Sequence, residues 1–123
     1  MAQEPLPPIS VDTLRQILGA HVSLASGALR TAGPAAADAL ITTMSTSNFI
    51  APFDWQTFIA TLGQPADDPA VLHNADLDTI RRLMTAHVRT DRFVGGHLDR
   101  LTASGYIDTA MTRLRELLAA GQI

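Results

Sequence analysis

The chain has 123 residues, no cysteine, nine basic residues against twelve acidic ones, and a formal net charge of −3. That length suits one domain, which buries roughly two thirds of its unfolded surface and needs no disulfide or metal to fold. The missing cysteine excludes disulfides, thiol nucleophiles and cysteine-type zinc sites, and the acidic balance argues against a dedicated nucleic-acid binder, for which a basic domain is expected.

Residues 1–9, with Pro5, Pro7 and Pro8, read as an extended arm or a flexible start, a flexible N-terminal arm outside the domain. They lack the basic and apolar regions of a signal peptide, so the expected compartment is the cytoplasm. Ser10 suits the N-cap of a first helix, in which Val11, Leu14, Ile17, Leu18, His21, Val22, Leu24 and Ala25 recur at helical spacing. Gly19 and Gly27 weaken that helix and suit close helix contacts; its end is expected between Arg30 and Gly33. Pro34 fits a first turn and predicts a second helix over about 34–47. Leu40, Ile41 and Met44 face inward there, with Ala36 and Ala37 on the same side.

Phe49, Phe53, Trp55 and Phe58 are four of the six aromatic residues. Pro52 interrupts any helix through them, and Asp54 is placed to cap a short one over about 55–62, with Gly63 in its C-terminal turn. The rings read first as a core plug and second as an aromatic shelf for a ligand. A loop follows over residues 64–76, where Asp67 and Asp68 diverge and read as solvated rather than as a metal pair. Asn74 or Asp76 opens a helix over about 76–91 with Leu77, Ile80, Leu83, Met84, His87 and Val88 as its apolar stripe. Asp76 and Asp78 in its first turn and Arg89 in its last complement the helix dipole. The pattern breaks at Phe93–Gly96. A short helix over about 95–104 ends at Gly105. A last helix, from Ile107 or Asp108 to about 120, turns Met111, Leu114, Leu117 and Leu118 inward and stops at Gly121.

No repeat and no alternating strand pattern stands out, and no apolar run approaches the roughly 18 residues of a membrane span. The predicted fold class is all-α: a single compact domain of five or six helices over 10–123, preceded by the Pro-rich arm. Every basic residue is arginine, which with the alanine-rich composition reads as coding bias, selection against lysine modification being the alternative. Residues 1–80 carry two arginines and eight acidic residues, a net of −6, and residues 81–123 carry seven arginines and four, a net of +3. The two halves are expected to attract each other within the fold.

The residues with chemistry to offer concentrate between 85 and 107. His87 and Asp91 share one helix face; Thr85, Arg89 and Arg92 share another. A bend at Val94–Gly95–Gly96 would bring His97 and Arg100 back towards His87 or Asp91. Read as a structural corner, Asp91 accepts from Arg92 or His97, His87 is a satisfied half-buried histidine, and the arginines pair with Asp54, Asp76 or Asp78. Read as an anion site, Arg89, Arg92 and His97 hold a carboxylate or phosphate beside backbone N–H groups left open at the glycine pair, with Trp55 as a wall. The pair is not a phosphate loop, since no Gly-Lys-Ser/Thr follows. A catalytic reading makes His87 or His97 a general base oriented by Asp91, but beyond Thr85, Thr90 and Ser104 no nucleophile stands out. A two-histidine metal site lacks a third ligand, so neither metal nor cofactor is expected. HLDRLTASGYI has the shape of a winged-helix exit turn, but a leucine-bearing helix follows where wing strands belong, which disfavours DNA binding.

PFDW at 52–55, TAHVRTDRFVGGHL at 85–98, SGYI at 104–107 and the Arg-Leu pair at 113–114 resemble the signature of an uncharacterised bacterial family, a domain of unknown function. The resemblance spans residues 45–118, and its long central motif is the most specific part. It implies a shared helical domain and marks Trp55, His87, Arg89, Asp91, Arg92, Phe93, Gly96 and His97 as signature positions; it carries no reaction. The resulting expectation is a non-enzymatic helical protein, a homodimer or a module for a protein partner. The alternatives are a small-anion-binding domain built on His87, Arg89, Asp91, Arg92, His97 and Trp55, and then a hydrolase or transferase with a His–Asp pair. Neither nucleic acid nor membrane is an expected partner.

Overall fold

Short polar side chains open the helices where the spacing predicts, because each supplies an acceptor to a backbone N–H that the helix itself leaves unpaired. The computed structural model describes residues 6–25 and 34–121, with side chains over 6–20 and 38–121. Ser10 Oγ accepts the Thr13 N–H at 3.1 Å and opens α1, Val11–Ala25. α2, Pro34–Thr46, begins on its proline. Asp54 accepts the Thr57 N–H at 3.2 Å to open α3, Trp55–Thr61. Asp68 caps a short 3-10 turn, Pro69–Leu72, and Asp76 caps α4, Leu77–Asp91, through the Thr79 N–H at 2.8 Å.

Two boundaries shift, both at glycines. α5 is His97–Ser104, starting after Gly96, whose φ of 76° lies in the left-handed region that stops a helix from running through it. α6 is Tyr106–Ala119, earlier than predicted, because Gly105 at φ 85° both ends α5 and begins α6. Reversing the chain in one residue removes the loop that the spacing leaves room for, and it buries Tyr106 and Ile107. The expected end of the first helix, Gly27, the side chains of His21, Val22, Leu24, Ala25, Ala36 and Ala37, and the start of the arm lie outside the described residues.

The described residues are all-helical, without a strand. α1 lies against α2 and α6, α2 reaches α5, and α4 touches α3, α5 and α6. Leu14, Ile17, Leu40, Met44, Ile80, Leu83, Met84, Met111 and Leu114 are buried together, as their helical spacing predicts. Phe49 joins them, but Phe53 and Phe58 are only half-buried and Trp55 is no more than that, so the aromatic run is not a single core plug. Gly19 does not serve close helix contact either: a Cβ added there meets nothing within 4 Å.

α4 departs most from an amphipathic helix. Residues Ile80 through His87 are buried without interruption, so Arg81, Arg82, Thr85 and His87 all lose water. Each finds a partner, in neighbouring chain or, for Arg82, one turn back on α4 itself. Arg81 donates to the carbonyls of Pro7 at 2.7 Å, Asn48 at 2.8 Å and Phe49 at 3.2 Å. Arg82 meets Asp78 at 2.6 Å and lies over the Phe53 ring. Thr85 Oγ1 accepts the Ala51 N–H at 3.3 Å. Of the carboxylates expected to receive arginines, Asp78 does so, while Asp54 and Asp76 serve as helix caps.

Truncation of Arg81 to alanine strips the buried Phe49 carbonyl, and those of the more exposed Pro7 and Asn48, of a charged donor. The expected loss is about 3 kcal/mol or more, read as a lower urea midpoint. Gly19→Ala in the middle of α1 should raise stability by up to about 1 kcal/mol in the same assay, since helix propensity rises and nothing is crowded.

Candidate functional site

The last turn of α4, the corner 92–96 and the first turn of α5 bring the polar residues together. Phe93 and Val94 both donate their N–H to the Thr90 carbonyl at 2.9 Å, which closes α4. Asp91 Oδ1 accepts the Leu98 N–H at 3.0 Å, and the His97 N–H goes to the Val94 carbonyl at 3.2 Å. Two backbone donors at the start of α5, expected to stand open beside the glycine pair, are therefore engaged. The protein's own carboxylate sits where an outside anion would dock at a helix start.

The two histidines meet. His87, only 3% exposed, places Nε2 3.0 Å from the Ala66 carbonyl and Nδ1 2.9 Å from His97 Nε2. A carbonyl can only accept, so His87 Nε2 carries the hydrogen, and in the neutral ring Nδ1 is the acceptor. His97 must then donate from Nε2, which leaves its own Nδ1 with a free lone pair. Burial, and then the neighbouring His97, push the His87 pKa down to about 4. His97 is also lowered, by its partial burial and then by Arg100, with Asp91 and Asp67 acting the other way. The Tyr106 ring stands edge-on to His87 at 4.8 Å between centroids. Its hydroxyl is buried without a partner among the described residues, and burial raises its pKa above the ordinary phenol value.

This arrangement differs from the His–Asp91 bond that the catalytic reading expects. Neither imidazole takes Asp91 as a hydrogen-bond partner; the carboxylate holds the start of α5 instead, and the imidazoles bond to each other. Among the described residues, no three of His, Asp and Glu gather as metal ligands.

Two concavities flank Trp55. One, of about 360 Å³, is lined by Pro52, Phe53, Trp55 and Gln56 on one side and by Arg89, Arg92 and Phe93 on the other. The side chains of Arg89 and Arg92 make no hydrogen bond or ion pair with any described residue. Phe93 is 78% exposed and Val94 44% exposed beside them. The second, of about 180 Å³, is lined by Trp55, Ile59, Ala66, Asp67, Ala86, His87, Thr90 and His97. The six candidates from the sequence thus divide. Trp55, Arg89 and Arg92 share the first cleft, Trp55, His87 and His97 share the second pocket, and Asp91 lines neither. Phe53 lines the first beside Trp55, as the aromatic-shelf reading has it, while Asp67 and Thr90 line the second although sequence reasoning does not mark them as ligand contacts. The position of Asp67 depends on a loop path that no spacing records.

The chain belongs to a family of unknown function, DUF6508, which matches residues 10–120. No curated protein and no solved structure matches it. Among the described residues no helix is long and apolar enough to cross a membrane.

The His87 pKa lies below its unfolded value of 6.5, so the unfolded chain takes up the proton first. Its contribution to stability is complete above about pH 6.5 and is lost as pH falls towards 4. Between pH 6.5 and 5 the carboxylates stay largely ionised, and a loss of about 2 kcal/mol is expected there. Urea midpoints across that range check it; His87→Gln should flatten the slope while lowering stability at pH 7.

Proposed function

We propose that this protein is a non-enzymatic binding module whose recognition surface is the cleft between α3 and the end of α4. Its partner would present an acidic segment carrying an apolar anchor. The observation that carries this reading is a largely exposed Phe93 on the same cleft as Arg89 and Arg92, two guanidiniums without partners among the described residues. Arginine presents a planar fork to carboxylates, and arginine and aromatic side chains dominate binding energy at protein interfaces. Covering a phenylalanine as exposed as Phe93 is worth roughly 2 kcal/mol.

A peptide carboxylate suits this cleft better than a free phosphate. Asp91 fills the helix start that would otherwise cradle one, and rings supply much of the cleft wall. Catalysis draws less support: both nitrogens of His87 are engaged in hydrogen bonds, and the carboxylate that would orient a base is engaged with the backbone. A second copy of the chain offers similar chemistry through its acidic first eighty residues, in keeping with a homodimer.

Trp55 is the sole tryptophan, so its fluorescence reports directly on the cleft. A peptide with a phenylalanine flanked by glutamates should shift it saturably. The paired substitution Arg89→Ala with Arg92→Ala should weaken binding at least about tenfold, or about 1.4 kcal/mol. Equal binding by the same peptide with glutamines would sink the charge-based reading. Inorganic phosphate binding as tightly would favour the small-anion alternative. Concentration-dependent dimerisation that Phe93→Ser abolishes, seen by sedimentation, would name the second copy as the occupant.

A further inference from the structure

The smaller pocket shares only Trp55 with the arginine cleft, and its chemistry is the opposite. Trp55, Ile59, Ala66 and Ala86 make its walls apolar. Hydrogen bonds already made fix what its polar side chains have left. Thr90 donates its hydroxyl to the Ala86 carbonyl at 2.8 Å, so only its lone pairs remain. His87 has both nitrogens engaged, and His97 has donated from Nε2 and keeps an accepting Nδ1. Asp67 adds an exposed carboxylate. Among the side chains lining the pocket, the Trp55 indole N–H is then the single available donor.

An apolar hollow with acceptors, one carboxylate and an indole ring suits a cation on a hydrocarbon body. The carboxylate attracts the charge, the ring face adds a cation–π contact, and an ammonium supplies the hydrogens the acceptors lack. In size, an apolar cavity of roughly 150 Å³ is enough for a benzene-sized molecule. We propose that this pocket binds a small protonated amine carrying a ring-sized apolar group. The assignment stands on the hydrogen-bond inventory and the lining residues, independently of what occupies the arginine cleft. An anion of the same shape would face Asp67 and lone pairs, with the Trp55 N–H as its one donor, so the pocket favours the amine.

The test uses three probes with one ring and different heads: benzylamine, benzyl alcohol and benzoate, titrated at pH 7.5 into the isotope-labelled chain. Benzylamine should shift the Trp55 indole and His97 ring resonances saturably, at least tenfold more tightly than benzyl alcohol, with benzoate silent at both. Ile59→Trp, which fills a half-buried wall position, should abolish those shifts. Asp67→Asn, an exposed substitution that leaves the core untouched, should remove the preference for the amine over the alcohol. Circular dichroism confirms that both variants keep their helices. Absence of a saturable benzylamine shift, equal binding of the three probes, or full binding in folded Ile59→Trp would each overturn the assignment.

Discussion

Burying the middle of α4 on every side is the constraint that shapes this molecule. A helix that presents Arg81, Arg82, Thr85 and His87 to its neighbours cannot sit in a purely apolar pocket. Each unpaired buried polar group would cost about as much as a core truncation. The solution is to wrap the helix in backbone. Arg81 gathers the carbonyls of Pro7, Asn48 and Phe49, Thr85 receives the Ala51 N–H, and His87 reaches the Ala66 carbonyl. The buried guanidinium is thus hydrogen-bonded to dipoles, and burial lowers its pKa, with the nearby Asp78 charge acting the other way. Three separate stretches of chain, the arm, the turn at 48–51 and the loop before the 3-10 turn, are positioned by side chains of one helix.

The two proposed surfaces follow from those tethers. Fixing the Ala66 carbonyl to His87 brings Asp67 to the rim of the small pocket. Using Asp91 to start α5 closes the corner tightly enough that Phe93 and Val94 are pushed out into solvent. With Asp91 engaged by the backbone, Arg89 and Arg92 are left without the nearest carboxylate in sequence that could neutralise them. The hydrogen bond from Leu98 N–H to Asp91 thus helps to shape the corner, together with the Thr90 carbonyl and Gly96, and keeps that carboxylate from pairing with the arginines of the cleft beside it.

Much of the scaffold was legible because its signals are local. Ser10, Asp54 and Asp76 announce helix starts within four residues of the groups they bond, and Ile80, Leu83 and Met84 fix the inward face of α4 by their helical spacing. The meeting of His87 with His97 was half legible: the glycine bend predicts that they approach, but not that they take each other in preference to Asp91. The burial of Arg81 was not legible at all. Two of its partners are the Asn48 and Phe49 carbonyls, far away in the chain, and every residue has a carbonyl, so no residue type marks them. The same limit hid Asp67, whose place at the pocket depends on the path of a loop.

Trp55 joins the two surfaces from a less rigid base. α3, which carries it, is seven residues long, has no buried residue, and is held at its start by the bonds from Thr57 to Asp54. The opposite walls stand on α4, whose centre is tied on all sides. Each concavity thus has one fixed wall and one supported by few buried contacts, and elements of the second kind open at lower free energy than a core. An occupant on either side of the indole would order α3 against α4. Both concavities share that ring, so if each takes the occupant proposed for it, ordering the ring in one changes the free energy of filling the other, and the effect is then reciprocal.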